Sequence, residues 1–182
     1  MKLMPFEPEL LPFLRDTVAK ELRDFSKAGL EYYGFTILCN AIEATGSFFD
    51  GKAYVDHGES RNRFQKGFEH LFPDEPYQGQ WVLFFEQLRG PLVHQLRPGH
   101  DFTLSCERKA SKSDHFQRDK KGQIVLIYEK FCEDFEQGLV DLAQKIESNA
   151  LKGVIHEERL TGRYIETFGS GSVSVGGLSA QP

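Results

Sequence analysis

The sequence lacks the short motifs of several large enzyme classes. It contains no glycine-rich phosphate loop ending in Lys-Ser or Lys-Thr, no GxGxxG fingerprint and no GxSxG turn for a nucleophilic serine. Its six histidines form no HxxxH or HExxH pair. These absences exclude motif-bearing nucleotide-binding enzymes, serine hydrolases and helical zinc enzymes, and we expect neither a metal nor a cofactor.

Cysteine and long apolar runs are also scarce. The three cysteines, Cys39, Cys106 and Cys132, are odd in number and widely spaced, so we expect buried, reduced thiols and no disulfide framework. No run approaches the roughly 20 apolar residues that span a bilayer. The opening residues, MKLMPFEPEL, lack the apolar centre of a signal peptide. The sequence therefore predicts a cytoplasmic protein with no membrane partner.

The overall charge is moderately acidic. A formal net charge of −5 argues against a protein that coats nucleic acid, although it permits one local basic patch. The 16 phenylalanines and 6 tyrosines supply ample material for a packed core. At 182 residues, we expect a single domain over 1–168 and a Gly/Ser-rich, linker-like tail over 169–182.

Most of the chain has helical periodicity. Apolar residues recur every three or four positions, including a stripe from Tyr77 to Leu96 and another that contains Tyr33 and Ile37. Gly29 is expected to end the first helix, and Ser60 has the character of an N-cap for the third. We predict helices over about 12–27, 30–49, 61–72, 77–97 and 129–151.

The periodicity changes after Pro98-Gly99. Residues 101–106 alternate, and residues 123–128 are apolar and β-branched, which is typical of strands. A polar, turn-rich segment separates them, so we predict a β-hairpin at about 101–128 with a long, mobile connection. The predicted fold class is mainly α, an antiparallel helical bundle of about five helices with one inserted β-hairpin.

A line of polar residues interrupts the second predicted helix. Thr36, Asn40, Glu43 and Ser47 are spaced four, three and four residues apart on an otherwise apolar segment. Such a line is usually solvated, but it could instead face a polar interior site. A buried arginine needs an acidic partner, so we predict that Glu43 approaches Arg89.

The strongest candidate chemistry lies in the segment Glu86-Gln-Leu-Arg89-Gly-Pro-Leu-Val-His94. A histidine can transfer protons near neutral pH, and an arginine can bind a phosphate and stabilise the charge of its transition state. In an ideal helix a five-residue offset places Arg89 and His94 about 140° apart. Pro91 is expected to distort the helix and help the two side chains converge.

The spacing of Arg89 and His94, late in a long helix and with Glu86 one turn earlier, resembles the Arg-x4-6-His motif of the HEPN superfamily. The resemblance covers about residues 80–97. It implies a compact and often dimeric helical bundle, and many members are metal-independent ribonucleases of toxin–antitoxin and phage-defence systems. The resemblance implies that Arg89 and His94 would be catalytic. Glu86 and, from the polar line of the second helix, Glu43 and Asn40 are the candidate supporting residues.

Basic residues outside the motif could contact an RNA backbone. Most such residues simply belong to a solvated surface, and that alternative stays open. The candidate RNA-binding residues are Arg61, Arg63, Lys66, Arg97, Lys109 and Lys112.

Three interpretations of the motif remain open. Arg89 and His94 could be catalytic in an RNA endonuclease, with a homodimer, RNA and an antitoxin-like protein as partners. Gly90 follows the arginine where many family members have a polar residue, and binding-only relatives exist, so a non-catalytic dimerising module that binds a protein or a nucleotide is the alternative. A third interpretation is a ligand pocket lined by Asn40, Glu43 and Arg89.

Overall fold

The protein is mainly helical, with one small two-stranded sheet. A computed structural model describes residues 10–52 and 58–156, so the predicted tail over 169–182 and the domain boundary before it lie outside the described residues. Five helices follow one another along this part of the chain, as predicted. They are α1 (Leu10–Ala28), α2 (Glu31–Gly46), α3 (Ser60–Leu71), α4 (Trp81–Gln95) and α5 (Tyr128–Glu147).

Two of these helices contain π-helical turns. In α1 the π turn is Phe13–Val18, between Leu10–Pro12 and Ala19–Ala28, and in α4 it is Phe85–Arg89, between Trp81–Phe84 and Gly90–Gln95. The end of α1 follows the sequence prediction, because Gly29 adopts the left-handed conformation that glycine tolerates, with φ of 73°.

The prediction of a β-hairpin between the two strands was wrong. Strand β1 (Phe102–Ser105) pairs in parallel with β2 (Ile124–Ile127), with Phe102 opposite Ile124. The connection turns back before β2, because the amide of Val125 donates to the carbonyl of Gln117 and the amide of Phe116 donates to the carbonyl of Val125. The connection itself therefore pairs with β2 in the antiparallel direction along one edge. Strand β1 pairs with the opposite edge of β2, in the parallel direction.

The core is rich in phenylalanine and extends through all five helices. Phe68, Phe84 and Phe131 pack closely, with ring centroids 4.8 Å apart for the first pair and 5.6 Å apart for Phe84 and Phe131. Two predicted core residues are instead on the surface, since Tyr33 is 59% and Ile37 41% exposed. The buried face of α2 is formed by its other apolar and small residues, Phe35, Leu38, Cys39, Ala41, Ile42 and Thr45.

Glycines set the distance between α2 and α3. A Cβ atom at Gly46 would lie 1.7 Å from the carbonyl oxygen of Arg63, and one at Gly67 would lie 1.9 Å from that of Ile42. Neither position can carry a side chain unless the two backbones separate. The two helices therefore cross at close range, and this crossing aligns the residues that α2 and α3 present to α4.

Pro91 determines how α4 ends. Because proline has no amide hydrogen, the carbonyl of Gln87 receives no bond from the helical position four residues later. The amide of Gly99 donates to that carbonyl instead, at 2.6 Å. The chain can make this return because Leu96 adopts a left-handed conformation with φ of 53°. Leu96 was predicted to end the apolar stripe of this helix, but its side chain is 65% exposed.

The three cysteines are free and buried, as the sequence predicted. Among residues 10–52 and 58–156, no helix combines the length and the apolar character needed to cross a membrane.

We expect Gly67→Ala to lower the free energy of unfolding by about 2 kcal/mol or more, because the added methyl group must push the backbones of α2 and α3 apart. Urea denaturation would measure the loss. Asn62→Ala, at an exposed position of the same helix, is the matched control and should change stability by no more than about 0.5 kcal/mol. Equal stability of Gly67→Ala and the wild type would contradict the close crossing.

Candidate functional site

The motif arginine lies in a polar cluster between α2, α3 and α4. Arg89 Nη2 lies 2.6 Å from Glu43 Oε2, so the predicted approach of Glu43 to Arg89 is confirmed. Ser60 joins the two residues: its hydroxyl donates to Glu43 Oε1 at 2.6 Å and accepts a hydrogen bond from Arg89 Nη2 at 3.2 Å. Ser60 was predicted to cap α3, but it makes no capping bond and is the first residue of the helix.

The surroundings of this cluster are those of a charge pair that is largely buried. The side chains of Arg89 and Glu43 are only 12% and 19% exposed. The guanidinium carbon of Arg89 lies 5.7 Å from the ring centroid of Phe85. Burial raises the pKa of the neighbouring Cys39 thiol to about 12, so that thiol stays protonated. The Nε of Arg89 is buried and has no hydrogen-bond partner among the described residues.

His94 has very different surroundings. It is exposed, and no hydrogen bond or ion pair links it to Arg89 or to any other residue of the described chain. The π turn of α4 ends at Arg89, and Gly90–Gln95 is α-helical, so the backbone between the two residues keeps an offset of about 140°. The helix is distorted next to Pro91, as expected, because the π turn contains Gln87, whose carbonyl Pro91 leaves without its helical donor. The widened turn ends at Arg89, and no hydrogen bond among the described residues brings Arg89 and His94 together.

The supporting residues divide between the cluster and the surface. Glu43 belongs to the cluster, whereas Asn40 is exposed on α2 and has no hydrogen bond to Arg89 among the described residues. Glu86 lies outside it and pairs with Arg61 at 3.0 Å. The guanidinium of Arg61 also lies over the ring of Trp81, 5.4 Å from its centroid, so Arg61 braces the surface of α3 against α4.

One predicted RNA-binding residue must be corrected. The side chain of Arg63 is only 6% exposed, and its Nε lies 2.6 Å from Asp50 Oδ2. Its guanidinium also donates to the carbonyl of Lys52 at 3.1 Å. Arg63 therefore fastens the segment after α2 to α3, and a phosphate at the surface cannot reach it.

The other basic candidates are exposed, except for Lys66, which is half-buried, and several have intramolecular partners. Lys66 donates to the carbonyl of Phe49 at 2.6 Å. Lys112 contacts Glu133 of α5 and lies 3.0 Å from Glu107. Arg97 and Lys109 are exposed. The predicted mobile connection is thus attached to α5 through Lys112.

A second polar cluster was not anticipated from the sequence. Tyr77, His115 and Asp134 meet at the base of a cleft of about 340 Å³ between the turn before α4, the connection and α5. Nδ1 of His115 accepts from the amide of Ile127 at 3.0 Å, so the neutral ring carries its hydrogen on Nε2 and donates it to Tyr77, at 2.8 Å. The hydroxyl of Tyr77 in turn donates to Asp134 Oδ2 at 2.8 Å.

This second cluster holds its histidine in the neutral form. The side chain of His115 is 6% exposed, and burial lowers its pKa to about 4, against an opposing effect of Asp134. Burial also raises the pKa of Tyr77 far above its usual range. Every polar atom that meets here has a partner, so the cluster joins α5 to the connection. Its three members are distant in sequence, and no spacing pattern would have found them.

A comparison of this chain with protein-family models, with curated proteins and with solved structures finds no match.

We expect Glu43→Gln to destabilise the protein by about 3 kcal/mol, because it removes the negative charge that compensates a mostly buried arginine. Chemical denaturation would measure the change. Glu86→Gln is the matched control, since it breaks an arginine pair whose side chains are 52% and 49% exposed, and it should cost no more than about 1 kcal/mol. Equal losses in the two variants would contradict a buried role for the Arg89–Glu43 pair.

The folding stability should depend on pH through His115. Its pKa of about 4 in the folded protein lies below the value of about 6.5 expected in the unfolded chain, so the unfolded chain binds the proton first. Keeping His115 neutral in the folded protein therefore contributes about 3 kcal/mol to the free energy of unfolding. This contribution is complete above about pH 6.5 and is lost as the pH falls towards 4. His115→Gln should remove that loss in denaturation curves recorded across this range, whereas His94→Gln, at an exposed position, should retain it.

Proposed function

We propose that this chain is a HEPN-like antiparallel helical bundle that acts as a dimerising interaction module and not as a nuclease. This proposal rests mainly on the contact of Arg89 with Glu43 and Ser60. An arginine that binds a phosphate in a reaction must offer its guanidinium to the ligand. Here one carboxylate neutralises the guanidinium, and the side chain is only 12% exposed.

An apolar surface beside the motif supports association. Leu30, directly before α2, is followed at spacings of three and four residues by Tyr33 and Ile37 on the outer face of the helix, and Asn40 continues this stripe. Leu96 at the end of α4 lies beside it, because the hydroxyl of Tyr32 donates to the Leu96 carbonyl. Eight large hydrophobic side chains are exposed in the described residues, and five of them form this patch: Leu30, Tyr32, Tyr33, Ile37 and Leu96. The exposed apolar surface is thus concentrated at one site.

A second copy of the chain is the occupant that fits this patch. In a two-fold dimer the same patch faces itself, so like charges across it would repel. The exposed side chains of the stripe, from Leu30 to Asn40, carry no charge at the positions that face outward. Cytoplasmic location, and an antitoxin-like protein or an RNA as a further partner, remain part of this proposal.

Metal-independent RNA cleavage is the second candidate, and the exposure of His94 favours it. An accessible imidazole could accept a proton from a ribose 2′-hydroxyl as that oxygen attacks the adjacent phosphorus. The leaving 5′-oxygen would take up a proton, and the products would carry 2′,3′-cyclic phosphate and 5′-hydroxyl ends. Arg89 would first have to exchange Glu43 for the phosphate, or the partner protomer would have to supply the cation.

We expect Ile37→Asp to convert a dimer of the purified protein into a monomer, because it would place two carboxylates against each other across the stripe. Sedimentation equilibrium over a range of concentrations would measure the change. Val154→Asp is the matched control, since Val154 is 51% exposed away from the stripe, and it should leave the association unchanged. A wild-type protein that stays monomeric at all concentrations would contradict the proposal.

A cleavage assay separates the two candidates. The wild-type protein is incubated with single-stranded and structured RNA in the presence of a chelator, beside His94→Ala prepared in the same way. The proposal expects no cleavage above that of His94→Ala. Wild-type cleavage that is faster by about 100-fold or more, with 2′,3′-cyclic ends, would instead establish the nuclease.

A further inference from the structure

Three potential metal ligands from distant parts of the chain meet near the start of α2. Glu31 is the first residue of α2, Cys106 follows β1 directly, and Glu129 lies in the first turn of α5. One ligand atom from each residue lies within 4.8 Å of the other two. The set combines one soft sulfur with two carboxylates, so it differs in chemistry from an ordinary acidic surface.

Two of these ligands are buried. Glu31 is 9% exposed, and its partner is Arg108, whose guanidinium reaches in from the surface and contacts Oε1. That contact does not have the geometry of a hydrogen bond, and the side chain of Arg108 is 54% exposed. Cys106 is 4% exposed, and its thiol makes no hydrogen bond within the described residues.

The third ligand is held in place by its neighbours. Glu129 Oε1 accepts from the hydroxyl of Ser26 at 2.5 Å, and Oε2 accepts from the amide of Glu107 at 2.9 Å. Hydrogen bonds of this kind orient the carboxylates of metal sites. The carboxylate of Glu129 lies close to that of Glu31, and two carboxylates this close repel each other unless a cation lies between them.

We propose that Glu31, Cys106 and Glu129 bind a thiophilic divalent cation, with Zn²⁺ as the best fit. Zinc accepts thiolate sulfur at about 2.3 Å and carboxylate oxygen at about 2.0–2.2 Å, so the three side chains close in by rotamer adjustment. Magnesium and calcium prefer a shell of oxygen ligands. On binding, the sulfur–metal bond forms as the thiol proton leaves to solvent.

The charge of the group is consistent with this assignment. With the thiol protonated, two carboxylates and Arg108 leave one uncompensated negative charge. With a thiolate and Zn²⁺ in place, the charges of the three ligands, the metal and Arg108 cancel. The cation therefore removes an excess negative charge from a buried place, where such a charge is most costly.

The cluster is also accessible. Glu31 and Cys106 line a cavity of about 190 Å³, and Glu129 lines a second cavity of about 250 Å³ on the side of α1 and α5. Water or an external ligand from these cavities can fill the fourth position of a tetrahedral zinc. The bound ion would fasten α2, the end of β1 and α5 together. This inference does not depend on the proposed function.

The test uses the full chain, reduced and freed of metal with a chelator, and then titrated with Co²⁺ as a spectroscopic substitute and with Zn²⁺. We expect a thiolate-to-cobalt charge-transfer band that Zn²⁺ abolishes. Competition with a chromophoric zinc chelator gives the affinity. Cys106→Ala should remove the band and weaken Zn²⁺ binding by more than the roughly 10- to 100-fold cost of losing an outer-shell partner.

Two further variants keep the test decisive. Cys39→Ala removes another buried cysteine outside the cluster and should retain the band and the affinity. Glu31→Gln preserves the shape of its side chain and should weaken Zn²⁺ binding even if Cys106→Ala fails to fold, which circular dichroism would reveal. A wild-type protein without the band would overturn the inference, as would a Glu31→Gln protein with wild-type zinc affinity.

Discussion

The close crossing of α2 and α3 is the constraint on which the rest of the structure depends. Gly46 and Gly67 let the two backbones approach to a distance that no side chain would allow. Glu43 lies one turn before Gly46, and Ser60 lies two turns before Gly67, so the crossing brings their side chains to hydrogen-bonding distance. Arg89 of α4 then reaches the edge of this pair and closes the cluster.

The end of α4 places its two motif residues, Arg89 and His94, in different surroundings. Pro91 leaves the carbonyl of Gln87 without its helical donor, and the amide of Gly99 takes that place. The chain beyond α4 therefore folds back along the helix. Arg89 is directed inward to Glu43, whereas His94 remains on the exposed side. The same helix thus supplies a structural cation and an accessible imidazole, and the proposed interaction module rests on this difference.

Several cations of this acidic chain hold segments together. Arg63 binds Asp50, Lys112 contacts acids of the connection and of α5, and Arg108 contacts Glu31. Opposite charges that are close in the fold pair readily, particularly where burial reduces screening by water. A count of basic residues along the sequence therefore overstates the positive surface available to an RNA.

The sequence by itself determined the elements whose signal is local. Helical periodicity predicted five helices, Gly29 predicted the end of the first, and the need of a buried arginine for an acid predicted the Glu43–Arg89 contact.

Only the tertiary structure decided the features that depend on distant residues. Strand direction was one, because the hydrogen bonds of Gln117 to Val125 occupy the antiparallel edge of β2. The exposure of Tyr33 and Ile37 was another, because α2 has apolar residues around most of its circumference, and packing against neighbouring helices selects the face that is buried. The meetings of Tyr77 with His115 and Asp134, and of Glu31 with Cys106 and Glu129, belong to the same group, since residues so far apart in sequence become neighbours only when the core is packed.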